Sequence, residues 1–167
     1  GPHPLWVLHL QFAAPEDLIG AGIHYVPKEG WGGYGSIWLS TTNIAEDAFY
    51  YESLTTGDIQ RLGGEELSRE DQWGGGRFGL TRRLGRQTYA YGGVGLMRGR
   101  RYVEYRFEPP LAAPDRTLWV DDDPRDSMKG VVEIGFVFYT EGGIAFSLAA
   151  GTDPVGICFG MGFGTRL

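Results

Sequence analysis

Residues 155–167 read Val155-Gly-Ile-Cys-Phe-Gly-Met-Gly-Phe-Gly-Thr-Arg-Leu167. The odd positions from Val155 to Phe163 carry large apolar side chains, and the even positions up to Gly164 carry glycine or cysteine. Because successive side chains of a strand point to opposite faces, the stretch predicts a strand with one apolar face and one almost bare face. Such a strand fits a soluble barrel with the apolar face inward, or a membrane barrel with that face toward lipid.

The composition predicts an all-β protein. The chain has 167 residues, and we expect residues 1–167 to form one barrel domain. Glycine occurs 28 times and aromatic residues make up 14% of the chain, as is typical of strand-rich proteins. The net charge of -6 argues against nucleic acid as a partner. The sequence contains no apolar window of about 18 residues, so it predicts no transmembrane helix.

The same alternation of side chains recurs along the chain and predicts eight strands. These strands comprise residues 5–12, 19–26, 34–41, 77–84, 88–107, 131–139, 144–150 and 155–167. We expect the first and last strands to pair and close an antiparallel up-and-down barrel. A strand at residues 49–53 and a turn at residues 98–101 would instead give ten strands.

The connections between the predicted strands favour a membrane barrel with eight strands. Two long polar loops, at about residues 42–76 and 108–129, both follow odd-numbered strands and therefore lie at one end. Short turns at residues 27–33, 85–87 and 141–143 lie at the other end. Transmembrane barrels of bacterial outer membranes combine short turns on one side with long loops on the other. Ten strands would place the long loops at opposite ends.

The polar faces of the strands support this interpretation. With the large apolar residues outward, the inward set includes His9, His24, Arg83 and Glu133. An apolar core would not accept these groups, because unpaired buried charge is costly. In a barrel lumen we expect Arg83 and the histidines to pair with Glu133. Side chains just fill an eight-stranded lumen, so this network predicts a plugged barrel and no pore.

Aromatic residues near the predicted strand ends could form interfacial girdles, or could simply reflect strand propensity. They are Tyr25, Trp31, Tyr34, Tyr89, Tyr91, Tyr102 and Tyr105.

Three features of the sequence point to a known group of proteins. They are the run Thr88-Tyr-Ala-Tyr-Gly-Gly-Val-Gly-Leu96, the acidic loop after it and the Gly-Met-Gly-Phe-Gly ending. Residues 77–167 resemble a group of uncharacterised bacterial small outer-membrane β-barrel proteins. The ending also resembles the C-terminal signal of such barrels, although Leu167 stands where phenylalanine is usual. The resemblance implies a barrel of about eight strands in the outer membrane of Gram-negative bacteria, with its signal peptide removed, and no activity.

The acidic cluster in the second long loop is the first candidate site. Asp121, Asp122, Asp123 and Asp126 could bind Ca²⁺, which prefers oxygen ligands. Their spacing differs from that of an EF-hand, and a solvated acidic loop is the alternative. We expect no other cofactor.

The predicted lumen holds the second candidate site. His9 and His24 lie on adjacent strands with the same facing and could form a metal site or an acid–base pair, or could be buried structural residues. Ser147 and Glu133 share that facing, which allows a Ser/His/acid hydrolase on paper. No Gly-x-Ser-x-Gly motif accompanies Ser147. Cys158 faces the same side and is best explained as a small packing residue.

Three functions are compatible with these patterns. The favoured hypothesis is a small, non-enzymatic outer-membrane barrel with a structural, anchoring or partner-binding role through loops 42–76 and 108–129. Its partners would be outer-membrane lipid or lipopolysaccharide and other envelope proteins. The alternatives are an enzyme that modifies outer-membrane lipid or lipopolysaccharide, and a soluble lipocalin-like barrel that binds a ligand.

Overall fold

The computed structural model describes residues 3–15, 17–41, 56–61, 63–106, 118–121, 127–154 and 156–167. In these ranges the chain forms nine strands and one short helix. The strands are β1 (Leu5–Ala14), β2 (Leu18–Val26), β3 (Trp31–Ser40), β4 (Glu65–Arg83), β5 (Thr88–Arg106), β6 (Leu118–Asp121), β7 (Ser127–Tyr139), β8 (Ile144–Thr152) and β9 (Ile157–Arg166). The helix α1 spans Thr56–Arg61, and no helix of the described ranges is long and apolar enough to cross a membrane.

Eight of the strands form a closed antiparallel barrel. Their order around the sheet is β4-β3-β2-β1-β9-β8-β7-β5, and a further pairing between β4 and β5 closes the ring. The terminal strand β9 pairs with β1, with Gln11 opposite Gly162 and His9 opposite Gly164. β6 adds to β5 alone, with Val120 opposite Val103. The prediction of an eight-stranded up-and-down barrel closed by the first and last strands is confirmed.

Side-chain exposure alternates along β1 and along most of the length of β2, β7 and β9. On β1, Leu8 and Leu10 are exposed, whereas Val7 and His9 are buried. We define the apolar belt as the outward apolar side chains of the ring, to which all eight strands contribute. It includes Leu8, Leu10, Ile23, Ile37, Phe78, Leu96, Ile134, Phe136, Phe146, Leu148, Phe159, Met161 and Phe163. The predicted facing of β1, β2, β7, β8 and β9 is therefore confirmed.

The connections are distributed as the sequence predicts. Short turns join β2 to β3, β4 to β5 and β7 to β8 at one end of the barrel, which we call the short-turn end. Gly30 and Gly143 in two of these turns have φ of 85° and 87°, a conformation that glycine adopts without steric cost. At the opposite end, residues 41–64 join β3 to β4 and residues 107–126 join β5 to β7, interrupted by β6.

Both predicted long loops are shorter in the structure than the sequence suggests. Residues 65–76 belong to β4, residues 118–121 form β6, and residues 127–129 begin β7. β5 is one continuous strand through Arg98–Arg101, as predicted, which removes the ten-stranded alternative that needed a turn there. The suggested strand at residues 49–53 lies outside the described residues.

The chain forms two compact units. The first comprises Gly1–Thr41, Trp73–Arg98 and Met128–Leu167, and the second comprises Thr42–Gln72 and Gly99–Ser127. The second unit contains α1, β6, the first eight residues of β4 and the last eight of β5.

Candidate functional site

A buried ion pair lies inside the barrel, between β4 and β7. The Nη1 of Arg77 lies 2.9 Å from the Oε2 of Glu133, and both side chains are almost completely buried. The Tyr34 hydroxyl donates to the other carboxylate oxygen, Oε1, at 2.8 Å. The guanidinium group of Arg77 also lies 4.2 Å from the ring centre of Trp38. Glu133 is therefore held by one charged and one neutral donor, as a buried carboxylate requires.

The predicted histidine pair is present beside this ion pair. The rings of His9 and His24 lie 4.5 Å apart between centroids, and both residues are buried. His24 also contacts the rings of Tyr34 and Tyr91, at 4.9 and 4.8 Å. Its Nδ1 lies 3.3 Å from the Tyr89 hydroxyl, within hydrogen-bond distance. The histidines are thus part of an aromatic cluster in the lumen.

Glycines of the wall make room for these rings. A Cβ added at Gly135 would lie 2.4 Å from the ring of Tyr91, closer than side chains can approach. A Cβ at Gly20 would lie 2.6 Å from the indole of Trp38. In contrast, a Cβ at Gly130 on the same strand as Gly135 would meet open space. At Gly20 and Gly135 the inward face is therefore bare where a ring of the lumen covers it, whereas Gly130 is exposed.

The predicted pairing of Arg83 with Glu133 is wrong. Arg83 has the predicted inward facing, but it lies six residues beyond Arg77 on β4, about 20 Å along the strand. Its Nη2 donates to the carbonyl oxygen of His3 at 3.0 Å, at the short-turn end. Arg77 takes its expected place beside Glu133. Positions 77 and 83 are both odd, so the sequence predicts that both arginines face inward. It does not predict how far along the barrel axis each one lies.

The predicted aromatic girdle is only partly present. Trp31 is exposed and Tyr25 is half-buried, and both belong to the outward face. Tyr34, Tyr89 and Tyr91 are buried instead. Their hydroxyls bind polar groups of the lumen, such as Gln11 Nε2, which donates to Tyr91 at 2.7 Å. Tyr102 and Tyr105, in the second unit, are also buried.

No hydrolase geometry is visible at Ser147. The residue is buried with the predicted inward facing, but its Oγ has no hydrogen-bond partner among the described residues. The same holds for both ring nitrogens of His9. A nucleophile activated by a base needs a hydrogen bond between the two groups. Cys158 is a buried free cysteine with the predicted inward facing.

The acidic cluster lies almost entirely outside the described residues. Asp122, Asp123 and Asp126 are not described, and Asp121 is described only in its backbone, as the last residue of β6. Elsewhere in the described chain no group of three or more His, Cys, Asp or Glu side chains could hold a metal ion. The calcium site remains a prediction.

The second compact unit has polar contacts of its own. Arg101 donates to both carboxylate oxygens of Asp71, at 2.7 and 2.9 Å. Ser68 donates to Glu104 at 2.7 Å. Arg69 binds Glu66 three residues earlier, and this hydrogen bond together with the carboxylate charge raises the pKa of Arg69. The first two contacts join β4 to β5, and the third lies within β4.

Comparison with known proteins gives matches of fold. No family model and no curated protein matches the chain. The structure is similar to Ail, the attachment invasion locus protein of Yersinia pestis, crystallised with the heparin analogue sucrose octasulfate. The TM-score is 0.56 at 12% identity, over 98% of this chain and 97% of that one. Ail in a phospholipid bilayer nanodisc gives a TM-score of 0.57 at 12% identity, covering 99% of this chain and all of that one.

The apolar belt places the barrel in a membrane. Soluble monomers rarely expose apolar patches larger than a few hundred Å². Here every strand of the ring exposes large apolar side chains, while the inward positions hold an ion pair and two histidines. This combination is the one that transmembrane barrels of bacterial outer membranes show, and the fold similarity agrees with it. The protein is an outer-membrane β-barrel, and the soluble lipocalin-like alternative does not fit its surface.

Proposed function

We propose that this protein is a small, non-enzymatic barrel that binds partners through its long connections on the cell surface. The observation that carries the proposal is paired, polar structure among the described residues of the second unit. Described residues of the second unit pair as strands and are held by Arg101–Asp71 and Ser68–Glu104. Polar side chains that such contacts hold in place are suited to bind a partner.

The partners that fit this surface are lipopolysaccharide and other envelope proteins. The second unit presents charges of both signs, including exposed Arg69, Arg100 and Glu70. In this proposal the barrel anchors the unit in the membrane. The buried ion pair, the histidine pair and the tyrosines fill its lumen as a plug, since an eight-stranded barrel has room for little more than its own side chains.

Two finer points belong to the same proposal. Membership of the group of uncharacterised small outer-membrane barrels rests on the Gly/aromatic pattern of residues 88–96 and of the ending. A calcium ion at Asp121, Asp122, Asp123 and Asp126 would stiffen the second long connection. Calcium binding that survives replacement of these four residues by asparagine would place the ion elsewhere.

Photo-crosslinking in intact cells tests the partner-binding role. A photo-reactive amino acid replaces Glu70 in the second unit or, as the matched control, Lys28 in a turn of the short-turn end; both positions are exposed. We expect discrete adducts with lipopolysaccharide or an envelope protein from position 70 that are absent at position 28. Absence of adducts at position 70, or the same adducts from both positions, would contradict the proposal.

A further inference from the structure

A cavity of about 400 Å³ opens at the short-turn end of the barrel, and three arginines line it. Arg83 comes from β4, Arg86 from the turn between β4 and β5, and Arg166 from β9. The cavity is separate from the buried Arg77–Glu133 ion pair, because Arg83 lies about 20 Å along β4 from Arg77. No carboxylate side chain belongs to the described residues that line it.

Backbone contacts fix the positions of these arginines. The carbonyl oxygen of Arg86 accepts a hydrogen bond from the hydroxyl of Tyr139, which also lines the cavity. The backbone N–H of Arg166 donates to the carbonyl of Gly143 at 2.8 Å. Arg83 is held through its Nη2 by the carbonyl of His3. The three guanidinium groups therefore extend from anchored points around one space.

Among the described residues that line the cavity, no acidic side chain offsets the charges of these arginines. Within the described chain none of the three forms an ion pair, and the Nε of Arg83 is buried without a hydrogen-bond partner. The chain as a whole carries a net charge of -6, so this is a local concentration of positive charge. A site that gathers three guanidinium groups and leaves donors unused favours an anion with several oxygens.

We propose that this cavity binds a phosphate group. Guanidinium groups match phosphate in a two-point geometry, and a phosphate monoester offers up to two charges and three acceptor oxygens to share among several arginines. A single carboxylate offers half as much charge. The short turns of outer-membrane barrels face the periplasm, so the phosphate would come from a free periplasmic anion or from a phospholipid headgroup of the inner leaflet.

Binding measurements on the purified barrel test the proposal and separate the two sources. Inorganic phosphate is titrated into the protein in zwitterionic detergent at low salt and followed by calorimetry. Retention of phosphatidic acid, with phosphatidylcholine as reference, is followed by native mass spectrometry. We expect at least one probe to bind. Phosphate alone would indicate the free anion, and phosphatidic acid alone the lipid headgroup.

Variants show whether the cavity is the site. Arg83→Gln and Arg166→Gln should each weaken binding about tenfold or more, because each removes hydrogen bonds between charged groups. Arg82→Gln is the matched control, since Arg82 is next to Arg83 but lies over the ring of Trp31, at 4.9 Å. Arg86→Gln, in an exposed turn, replaces Arg83→Gln if that variant does not fold. Failure of both probes to bind, or an equal loss in Arg82→Gln, would overturn the proposal.

Discussion

Replacement of Glu133 by alanine is expected to lower the free energy of unfolding by about 3–5 kcal/mol, because it leaves a buried charge unpaired. Arg77 would lose the carboxylate at 2.9 Å, and the Tyr34 hydroxyl would lose its acceptor at 2.8 Å. The measurement is equilibrium unfolding by guanidinium chloride of the barrel in phospholipid vesicles, followed by tryptophan fluorescence. Trp38, which lies under Arg77, is one of the five tryptophans that contribute to the signal.

A second variant separates the ion pair from simple loss of packing. Removal of both charges, with Glu133→Leu and Arg77→Met together, should restore much of the stability that Glu133→Ala loses. Arg82→Gln on the outward face of β4 should change the free energy of unfolding by less than about 0.5 kcal/mol. A loss below about 1 kcal/mol in Glu133→Ala would show that the pair is solvated and not buried as the structure indicates.

Replacement of Leu148 by arginine is expected to destabilise the barrel in vesicles by about 2–4 kcal/mol. Leu148 is 59% exposed in the middle of β8, opposite Phe136 on β7 and Met161 on β9. In a soluble protein such an exposed position would accept arginine at little cost. In a bilayer the charge would lie near the midplane of the hydrocarbon. The same unfolding measurement in vesicles gives the value.

The matched control lies on the neighbouring strand, near the edge of the apolar belt. Ile157 is 73% exposed at the start of β9, and arginine there should cost about 0–1 kcal/mol. The difference between the two positions is the signature of a bilayer, because exposure to water alone would make the two substitutions alike. Equal costs at Leu148 and Ile157 would therefore contradict a membrane location.

The strands that the sequence predicts well are those with lipid on one face and the lumen on the other. On β1, β7, β8 and β9 every outward position is apolar where the strand crosses the membrane, so period-two alternation is complete. Residues 65–76 lack this contrast, because Ser68 and Asp71 form polar contacts with β5 and Glu66 binds Arg69 of the same strand. Nothing in such a stretch distinguishes a paired polar strand from a loop.

The candidate site could be predicted by facing but not by depth. His9, His24 and Glu133 lie inward, as their parity predicts, and the two histidines are in contact because β1 and β2 are joined by a short turn. The partner of Glu133 comes from β4, which is 56 residues away at Arg77. Which arginine meets Glu133 depends on the stagger of the strands around the closed ring. The alternation within a single strand does not predict this stagger.

The tyrosines illustrate a second limit of pattern analysis. Tyrosine suits both a membrane interface and a polar lumen, because its ring is apolar and its hydroxyl needs a partner. Tyr89 and Tyr91 share their parity with inward Gly95 and Met97, which could have indicated the lumen. The glycines around them hide that parity in the sequence, since Gly92 and Gly93 occupy both faces.

The central claim is that the apolar belt makes the barrel dependent on lipid. The most direct measurement is folding of the urea-denatured chain after dilution into plain buffer or into phosphatidylcholine vesicles. Heat-modifiable migration on a gel in mild detergent and circular dichroism follow the outcome. We predict a strand-rich, heat-modifiable species in vesicles and only aggregate in buffer. A monomeric, folded, strand-rich protein in plain buffer would contradict the account.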